Sequence, residues 1–309
     1  RTFVAIAEEG HLTRASERLF ISQSTASAHV RALEQRLKMP LFIRTNRSLE
    51  LTRAGQLLAQ KAKALLNEDA LFTSFARALL GKVEGKLVVG TSSEPGTRIG
   101  DVVTALRAKH PLVNIDLTAR PSSGTRHGLQ SGELDVGVLI GGPVDPDFRY
   151  YKLTTVQYRV VGPAAWKEQI INADWAQLAS LPWLTPSASS AYSAMLAQLF
   201  GDKGLELHSV LRFDNSSVGR TALQAGAGLM LVREEHAVQG EQEGYLAMSP
   251  IARAEMPLLI AHQRGRQDDP LIEAFVDAAK GVWPEMNLIE AHEALREPAR
   301  GIANGVRPA

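Results

Sequence analysis

The chain has 309 residues, with 34 Lys and Arg against 33 Asp and Glu, and no cysteine. A chain of this length is too long for a single hydrophobic core, so two or three domains are expected. The absence of cysteine excludes disulfides and thiol chemistry. The charge is uneven, because residues 1–84 carry 13 basic against 8 acidic side chains and the remainder carries 21 against 25. A basic first segment on an acidic body indicates contact with a polyanion.

Hydropathy excludes a membrane protein, since no window approaches eighteen consecutive apolar residues. The opening RTFVAIAEEG has helical periodicity and lacks the cleavage pattern of a signal peptide. We therefore expect a cytoplasmic protein without a membrane partner. The eight histidines are scattered, and neither a metal-ligand spacing nor a nucleophile-base motif occurs, so we expect no metal, no cofactor and no enzyme activity.

The first helices predict a helix-turn-helix. Residues 1–9 form a helix that ends at Gly10, Thr13 is a candidate cap for a second helix, and Ser22 is a candidate cap for the helix QSTASAHVRALEQRLK. On this third helix one apolar stripe faces the core, and it consists of Ala26, Val30, Leu33 and Leu37. The opposite face is small and polar, which lets a helix enter the DNA major groove, and it carries Gln23, Ser24, Ser27, Ala28 and Arg31.

A hairpin and a long helix follow. Leu41–Arg44 and Leu49–Thr52 alternate around the turn TNRS, which predicts a wing with Arg47 at its tip, although a solvent-exposed turn arginine is the alternative. Thr52 is expected to cap a helix over about 53–80 with an apolar seam, interrupted at Asp69, that includes Leu58, Ala62, Leu65, Phe72 and Leu79. Such a seam favours self-association, as a homodimer or homotetramer, over packing on the chain's own C-terminal part.

From GKVEGK onward, strands alternate with helices, which predicts two α/β lobes around a mostly parallel sheet. The predicted domains are 1–53 for DNA binding, 54–84 for the linker helix and 85–283 for two lobes. Lobe I comprises 85–158 and 256–283, and lobe II comprises 159–255. A charged tail over 284–309, with one helical segment around Met286, Ile289 and His292, is expected to be poorly ordered.

Three predicted strands end in hydroxyl and amide side chains just before a helix, namely at Thr91, Ser92 and Ser93, at Ser122 and Ser123, and at Asn215 and Ser216. Each group alone is explained by helix capping. Together at one cleft they would form a site for an anion, because helix N-termini present unpaired N–H groups.

Residues 7–55 resemble the LysR-type transcriptional regulators. They contain SQxxxSxxVxxLE, PLFxR and LTxAG without gaps, and GELDVGV and LQAGAG occur further on. The resemblance implies a winged helix-turn-helix, a linker helix for dimerisation and a two-lobed effector domain like a periplasmic solute-binding protein. It also implies that Gln23, Ser24, Ser27 and Ala28 contact bases, that Arg47 reaches the minor groove, and that an inducer carboxylate binds near the first strand end.

Two positions depart from the family pattern, where many members have Pro in place of Ser24 and Arg in place of Ala28. Base recognition would then depend on Gln23, Ser24 and Thr25 or on DNA shape. The chain is thus expected to be a sequence-specific regulator of promoter DNA, with RNA polymerase as a further candidate partner, modulated by a small carboxylate-bearing effector between the lobes. The alternative is a solute-binding module whose N-terminal helices serve only oligomerisation.

Overall fold

The computed structural model describes residues 1–44, 49–78, 80, 83–91, 98–188 and 190–289. The chain divides into two compact units, residues 1–82 and 83–309. Within the described ranges, no helix has both the length and the apolar character needed to cross a bilayer.

The first unit consists of three short helices, a two-stranded hairpin and one long helix. Their bounds are α1 Thr2–Glu9, α2 Leu12–Arg18, α3 Gln23–Leu37, β1 Phe42–Arg44, β2 Leu49–Leu51 and α4 Arg53–Ala78. One core cluster joins the three short helices through Ile6, Ala15, Ala26 and Val30. A second joins α1 to the start of the hairpin and to α4 through Phe3, Val4 and Leu41.

Local capping explains most of these boundaries. Gly10 ends α1 in the left-handed conformation with φ 64°, and the Ser22 side chain accepts a hydrogen bond from Thr25 N at the start of α3. Thr52 Oγ1 accepts from Gly55 N at 2.9 Å and caps α4. The expected cap at Thr13 is wrong, because α2 begins at Leu12 and its first residue follows His11, which makes no side-chain cap bond.

The apolar stripe of α3 is buried only in its first half. Ala26 and Val30 lie in the core, Leu33 is half-buried, and Leu37 is 36% exposed. The last turn of α3, Gln35 to Leu37, is exposed and lies outside the core clusters.

The apolar seam of α4 likewise packs against the chain's own core only in its first part. Leu58 and Ala62 pack on the cluster of Phe3, Val4 and Leu41 within the same chain. Further along, Leu65 and Phe72 are 71% and 76% exposed. Asp69 forms an ion pair of 2.6 Å with Arg1, and the predicted seam residue Leu79 lies outside the described residues.

The second unit alternates strands with helices along its described part. The elements are β3 Gly85–Thr91, α5 Ile99–Lys109, β4 Val113–Ala119, α6 Ser122–Gln130, β5 Val136–Ile140, β6 Phe148–Pro163, α7 Lys167–Asn172, α8 Trp175–Ser180, β7 Trp183–Pro186, α9 Ala191–Gly201, β8 Ser209–Phe213, α10 Ser216–Gln224, β9 Met230–Arg233, α11 Glu234–Gln242, β10 Leu246–Gln263, α12 Pro270–Val282 and β11 Asn287–Ile289. Short 3-10 turns lie at Ala164–Trp166 and Arg264–Arg266.

The large sheet has the strand order β11-β6-β10-β5-β3-β4, with β9 paired to β6, and β7 and β8 form a separate parallel pair. In the large sheet, β3 is parallel to both β4 and β5, whereas β10 is antiparallel to both β5 and β6. The expectation of a mostly parallel sheet is therefore wrong. The returning strand β10 enters between β5 and β6 in the opposite direction, and β9 and β11 also pair antiparallel with β6.

Two long strands link the lobes of this unit. β6 and β10 pair along most of their lengths, and β10 pairs with β5 at Leu258–Ala261 while β6 pairs with β9 at Tyr158–Val161. The lobe boundaries expected at 158/159 and 255/256 fall inside these two strands. β6 and β10 therefore run from one lobe into the other, and both lobes contribute strands to the same large sheet.

The end of the described chain forms a strand where a helical segment was expected. β11 pairs antiparallel with β6, with Asn287 opposite Lys152 and Ile289 opposite Tyr150. An edge strand presents unpaired N–H and C=O groups, so pairing with β6 gives backbone hydrogen bonds to three residues of the tail. An isolated helical turn of the same length would be only marginally stable. Residues 290–309, including His292, lie outside the described residues.

Candidate functional site

The outer face of α3 presents a compact set of short polar side chains to solvent. Gln23, Ser24, Thr25, Ala28 and Arg31 are exposed, and Ser27 is half-buried. Ser24, Ala28 and Arg31 lie on the side of α3 opposite the buried side chains of Ala26 and Val30, whereas Gln23 and Ser27 lie closer to the buried side, because residues three and four apart share one side of a helix. The face is small enough for close approach of another surface along its whole length.

Hydrogen bonds order the first turn of α3. Ser22 Oγ accepts from Thr25 N at 3.1 Å and lies 2.7 Å from Ser24 Oγ and 2.8 Å from Thr25 Oγ1. The amide of Gln23 donates to Thr13 Oγ1 on α2 at 2.9 Å. These hydrogen bonds hold the side chains that are predicted to contact bases in defined positions. Each hydroxyl can still donate or accept a further hydrogen bond.

The positive charge of the α3 region is not neutralised by nearby carboxylates. Among the residues that the structure describes, Arg31, Arg36 and Lys38 take part in no ion pair. Arg18 on α2 differs, since its guanidinium donates to Glu8 Oε2 at 2.8 Å, and this hydrogen bond raises its pKa above the ordinary value. A cation without an internal partner is available to a phosphate.

The hairpin beside α3 is fixed by a residue that the sequence reasoning missed. The carboxylate of Glu34 on α3 accepts hydrogen bonds from Leu41 N at 2.7 Å and Phe42 N at 3.2 Å. The Phe42 ring in turn packs edge-on against Phe3 at 5.6 Å. An acidic residue on an otherwise basic helix is the signal that could have suggested this role. Arg47, at the predicted tip, lies outside the described residues.

A cavity of about 310 Å³ lies between the two lobes of the second unit. Three of the predicted effector-binding residues, Ser122, Asn215 and Ser216, line it together. Ser123 is exposed and is not among the lining residues, and Ser92 and Ser93 lie outside the described residues. Thr91 is buried near the wall, where its carbonyl oxygen accepts from Arg120 N at 2.8 Å.

Three helices begin at the wall of this cavity. α6 begins at Ser122, α9 begins after Ser190, whose side chain accepts from Tyr192 N at 3.2 Å, and α10 begins after Asn215. The start of each helix carries about half a positive charge and unpaired N–H groups. These helix starts therefore bring positive potential to the wall of the cavity.

Ser122 also joins α6 to β5, because its Oγ accepts a buried hydrogen bond from Ile140 N at 3.1 Å. The hydroxyl proton stays available for donation to an occupant of the cavity. Nearby, Thr91 Oγ1 and Thr125 Oγ1 are buried and have no hydrogen-bond partner among the described residues. These hydroxyls add polar character beneath the same strand ends.

Two charged side chains lie at the cavity wall, and one of them, Arg120, is neutralised by an ion pair. Arg120 lines the cavity and makes a two-pronged ion pair with Glu133, at 2.9 and 2.5 Å, and this hydrogen bonding raises the pKa of Arg120. Asp214 is the acidic side chain in the lining. Sequence reasoning missed Arg120, Ser190 and Tyr192, although Ser190 precedes a helix in the same manner as the serines that were selected. No cluster of His, Asp and Glu suited to a metal ion occurs in the described part of the chain.

Family models match both units. Residues 1–56 match the bacterial regulatory helix-turn-helix protein of the lysR family, and residues 81–284 match the LysR substrate binding domain. A probable RuBisCO transcriptional regulator of Synechocystis sp. is 28% identical, covering 98% of this chain and 89% of the relative.

Solved structures share the fold of the chain. ArgP from Mycobacterium tuberculosis has a TM-score of 0.68 at 19% identity, covering 92% of this chain and 96% of that one. Full-length CbnR complexed with its target DNA has a TM-score of 0.62 at 21% identity, covering 91% of this chain and 97% of that one. Both pairs lie below 25% identity, so the likeness concerns the fold.

Proposed function

Because the chain belongs to the LysR family of transcriptional regulators, with a DNA-binding helix-turn-helix and an effector-binding domain, we propose that it reads a specific promoter sequence and responds to a small organic anion. It would act in the cytoplasm as a homodimer or homotetramer. The observation that carries the effector assignment is the convergence of three helix N-termini on one cavity between the lobes.

The DNA contact is assigned to the outer face of α3. Its short side chains let the helix approach the floor of the major groove, and Gln23, Ser24 and Thr25 supply donors and acceptors for base edges. Arg31 and, from the hairpin tip, Arg47 would contact phosphates or the minor groove. Ala28 offers only a methyl group, which suits contact with a thymine methyl instead of a charged contact with guanine.

We assign the effector to the class of small molecules that carry a carboxylate. A cavity of about 310 Å³ lies at the lower end of the volumes of small-molecule sites, about 300–1,000 Å³. Ser122, Ser216 and the N–H groups behind Asn215 would bind the carboxylate, with Thr91, Ser92 and Ser93 as further contacts from the first strand end.

Self-association is assigned to α4. The exposed side chains of Leu65 and Phe72 continue the stripe that Leu58 and Ala62 begin against their own core, and Leu79 would extend it. Apolar side chains at this spacing on an exposed helix favour a partner helix. Two subunits would then present two copies of α3 to adjacent half-sites.

The DNA-binding proposal is tested by fluorescence anisotropy with duplex from the chain's own upstream region and a shuffled duplex of equal composition. We expect tighter binding to the native duplex, and log K that falls linearly with log[salt]. Arg47→Ala should weaken binding to both duplexes without changing the melting temperature. Equal affinity for the two duplexes would instead favour the alternative of a solute-binding module, in which the N-terminal helices only oligomerise.

The effector proposal is tested by a thermal-shift screen of the full chain with small organic acids and their neutral amides. A ligand at a hundredfold excess over its dissociation constant stabilises the folded state by about 2.7 kcal/mol. We expect at least one acid to raise the melting temperature while its amide does not. A screen in which amides stabilise as well as their acids would contradict the anion assignment. RNA polymerase as a partner is tested separately, by transcription from the same promoter with and without the stabilising acid.

A further inference from the structure

The cleft between the lobes carries one negative charge as well as the positive potential of its helix starts. Asp214 follows β8, is exposed, and lines the cavity beside Asn215 and Ser216. Within the described residues, its carboxylate takes part in no ion pair and no hydrogen bond. The other charged side chain of the lining, Arg120, is paired with Glu133. The carboxylate of Asp214 is therefore the charge that an occupant of the cleft meets without an internal counter-ion.

A donor for a carboxylate lies two residues after Asp214. α10 begins at Ser216, and its start is capped by Asn215, whose Oδ1 accepts from Ser217 N at 2.8 Å. Among the described residues, Ser216 N has no acceptor, so it is one of the unpaired N–H groups that a helix start presents. Two residues of chain span at most about 7 Å. The backbone therefore holds a positive and a negative feature of the cleft close together.

This arrangement of opposite charges discriminates between classes of ligand. A simple carboxylate gains from the helix starts but is repelled by Asp214. A simple amine is attracted by Asp214 but repelled by the helix starts. A molecule with an ammonium group beside its carboxylate suits both features, because each of its charges meets the opposite one. The short separation favours two charges on one carbon atom over charges at the two ends of a chain.

The rest of the cavity wall is largely apolar. Ile140, Pro186 and Phe213 line it, and all three are buried. The ring of Tyr192, also in the lining, lies edge-on to Tyr158 with the ring centres 5.2 Å apart, which holds it at the wall. The volume of about 310 Å³ is small for a ligand site. The space beside the two charges therefore suits an apolar side chain of modest size.

We propose that the effector is an α-amino acid with an apolar side chain. Its carboxylate binds at the start of α10, and its ammonium group pairs with Asp214. Its side chain lies against Ile140, Pro186 and Tyr192. This inference rests on the proposed function, because it takes the cleft as the effector site, and it adds Asp214 as the residue that selects the ligand by charge. All residues that line the cleft fall within the match to the LysR substrate binding domain.

Isothermal titration of the full chain tests the class of ligand. The probes are free alanine, valine, leucine, isoleucine, methionine and phenylalanine, each compared with the same molecule without its amino group and with its own primary amide. We expect at least one amino acid to bind tighter than both of its matched probes by about tenfold or more, which is a typical effect of one charge that meets its opposite. Absence of binding by all six amino acids would overturn the proposal.

The two matched probes separate this inference from the proposed function. If the molecule without the amino group binds as tightly as its amino acid, the amino-acid class is wrong and the anion assignment of the cleft stands. If the amide binds as tightly, the anion assignment fails as well. The leucine isomer 6-aminohexanoate carries its charges at the two ends of the chain and should bind about tenfold more weakly than the tightest amino acid. Equal affinity would contradict the adjacent placement of the two charges.

Substitutions at Asp214 locate the ammonium contact. Asp214→Asn should weaken binding of the amino acid by about tenfold or more and strengthen binding of the molecule without the amino group by about threefold, because one carboxylate attracts the first and repels the second. Asp214→Glu keeps the charge and should keep the preference for the amino acid. A purely structural role would change both affinities in the same direction. That result, or an unchanged affinity for the amino acid in Asp214→Asn, would overturn the proposal.

Asp202→Asn is the matched control. Asp202 is exposed at the far end of α9 and is not in the lining of the cleft, and it lies about 16 Å along the helix from the end that begins at the cavity. The substitution changes the net charge of the chain by the same amount, so both affinities should equal those of the parent protein. Equal effects of Asp202→Asn and Asp214→Asn would assign the discrimination to net charge and overturn the proposal.

Discussion

The outer face of α3 and the cleft between the lobes are built in opposite ways. On α3, one helix supplies most of the predicted contacts, and the buried residues Ala26 and Val30 on its other side hold it in place. In the cleft, the proposed contacts come from the starts of three helices, and some of the same side chains also make hydrogen bonds that stabilise the fold. Ser122 bonds Ile140 N, and Asn215 caps α10.

This difference separates function from stability in one region and couples them in the other. Substitutions on the exposed face of α3 should change binding and leave the free energy of unfolding almost unchanged, because exposed side chains contribute little to it. Substitutions in the cleft should change both binding and the free energy of unfolding.

Ala28→Asp should weaken DNA binding by about a hundredfold or more, because a carboxylate facing phosphates costs several kcal/mol. Its melting temperature should stay within a few degrees of the parent protein. Ala197→Asp, an exposed alanine on α9 of the second unit, is the matched control and should bind DNA normally. Anisotropy titrations of both variants give the comparison, and equal losses would remove α3 from the DNA contact.

Ser122→Ala should lower the free energy of unfolding by about 1–3 kcal/mol, because Ile140 N is left buried without an acceptor. The same change should weaken binding of the stabilising acid. Chemical denaturation and titration of one protein preparation measure the two effects. Loss of acid binding at unchanged stability would show that the cleft is not coupled to the fold in this way.

Asn215 allows the two roles to be separated by a matched pair. Asn215→Ala removes the cap and should cost about 1 kcal/mol of stability. Asn215→Asp keeps a good cap, so its stability should equal that of the parent, but it adds a negative charge beside Asp214 and should weaken acid binding about tenfold. If both variants bind the acid equally, the charge of the cleft does not govern recognition.

Ser24→Ala should have the smallest effect on the fold. Its hydroxyl bonds only the neighbouring Ser22 Oγ among the described residues, and an exposed substitution of this kind stays within about 0.5 kcal/mol of the parent. DNA affinity should fall about threefold, which is the contribution of one modest hydrogen bond. A larger loss of stability would mean that the hydroxyl cluster at the start of α3 is structural.

Periodicity and capping predicted the first unit well, because its interactions are local. The helices, the hairpin strands and the caps at Ser22 and Thr52 lie near their expected positions, and the cap expected at Thr13 is wrong by two residues. The role of Glu34 was not predicted, because its hydrogen-bond partners, Leu41 N and Phe42 N, are backbone groups that no sequence pattern reveals.

The second unit was harder, because its pairings join distant segments. Alternating strands and helices indicated two lobes, yet the antiparallel insertion of β10 between β5 and β6 brings residues about a hundred positions apart into register. The strand β11 in place of a helical segment has the same origin, since the free edge of β6 decides it. Local propensity carries no information about such an edge.

The sequence by itself determined that the chain begins with a helix-turn-helix and continues into α/β lobes, because hydrophobic period, caps and the spacing of SQxxxSxxVxxLE are local properties. Only the tertiary structure decided which hydroxyls meet. It brought Ser122, Asn215 and Ser216 to one cavity with Ser190, and left Ser123 in solvent. It also placed Asp214 in the lining of the same cavity. Convergence and burial depend on long-range packing, which a linear pattern does not contain.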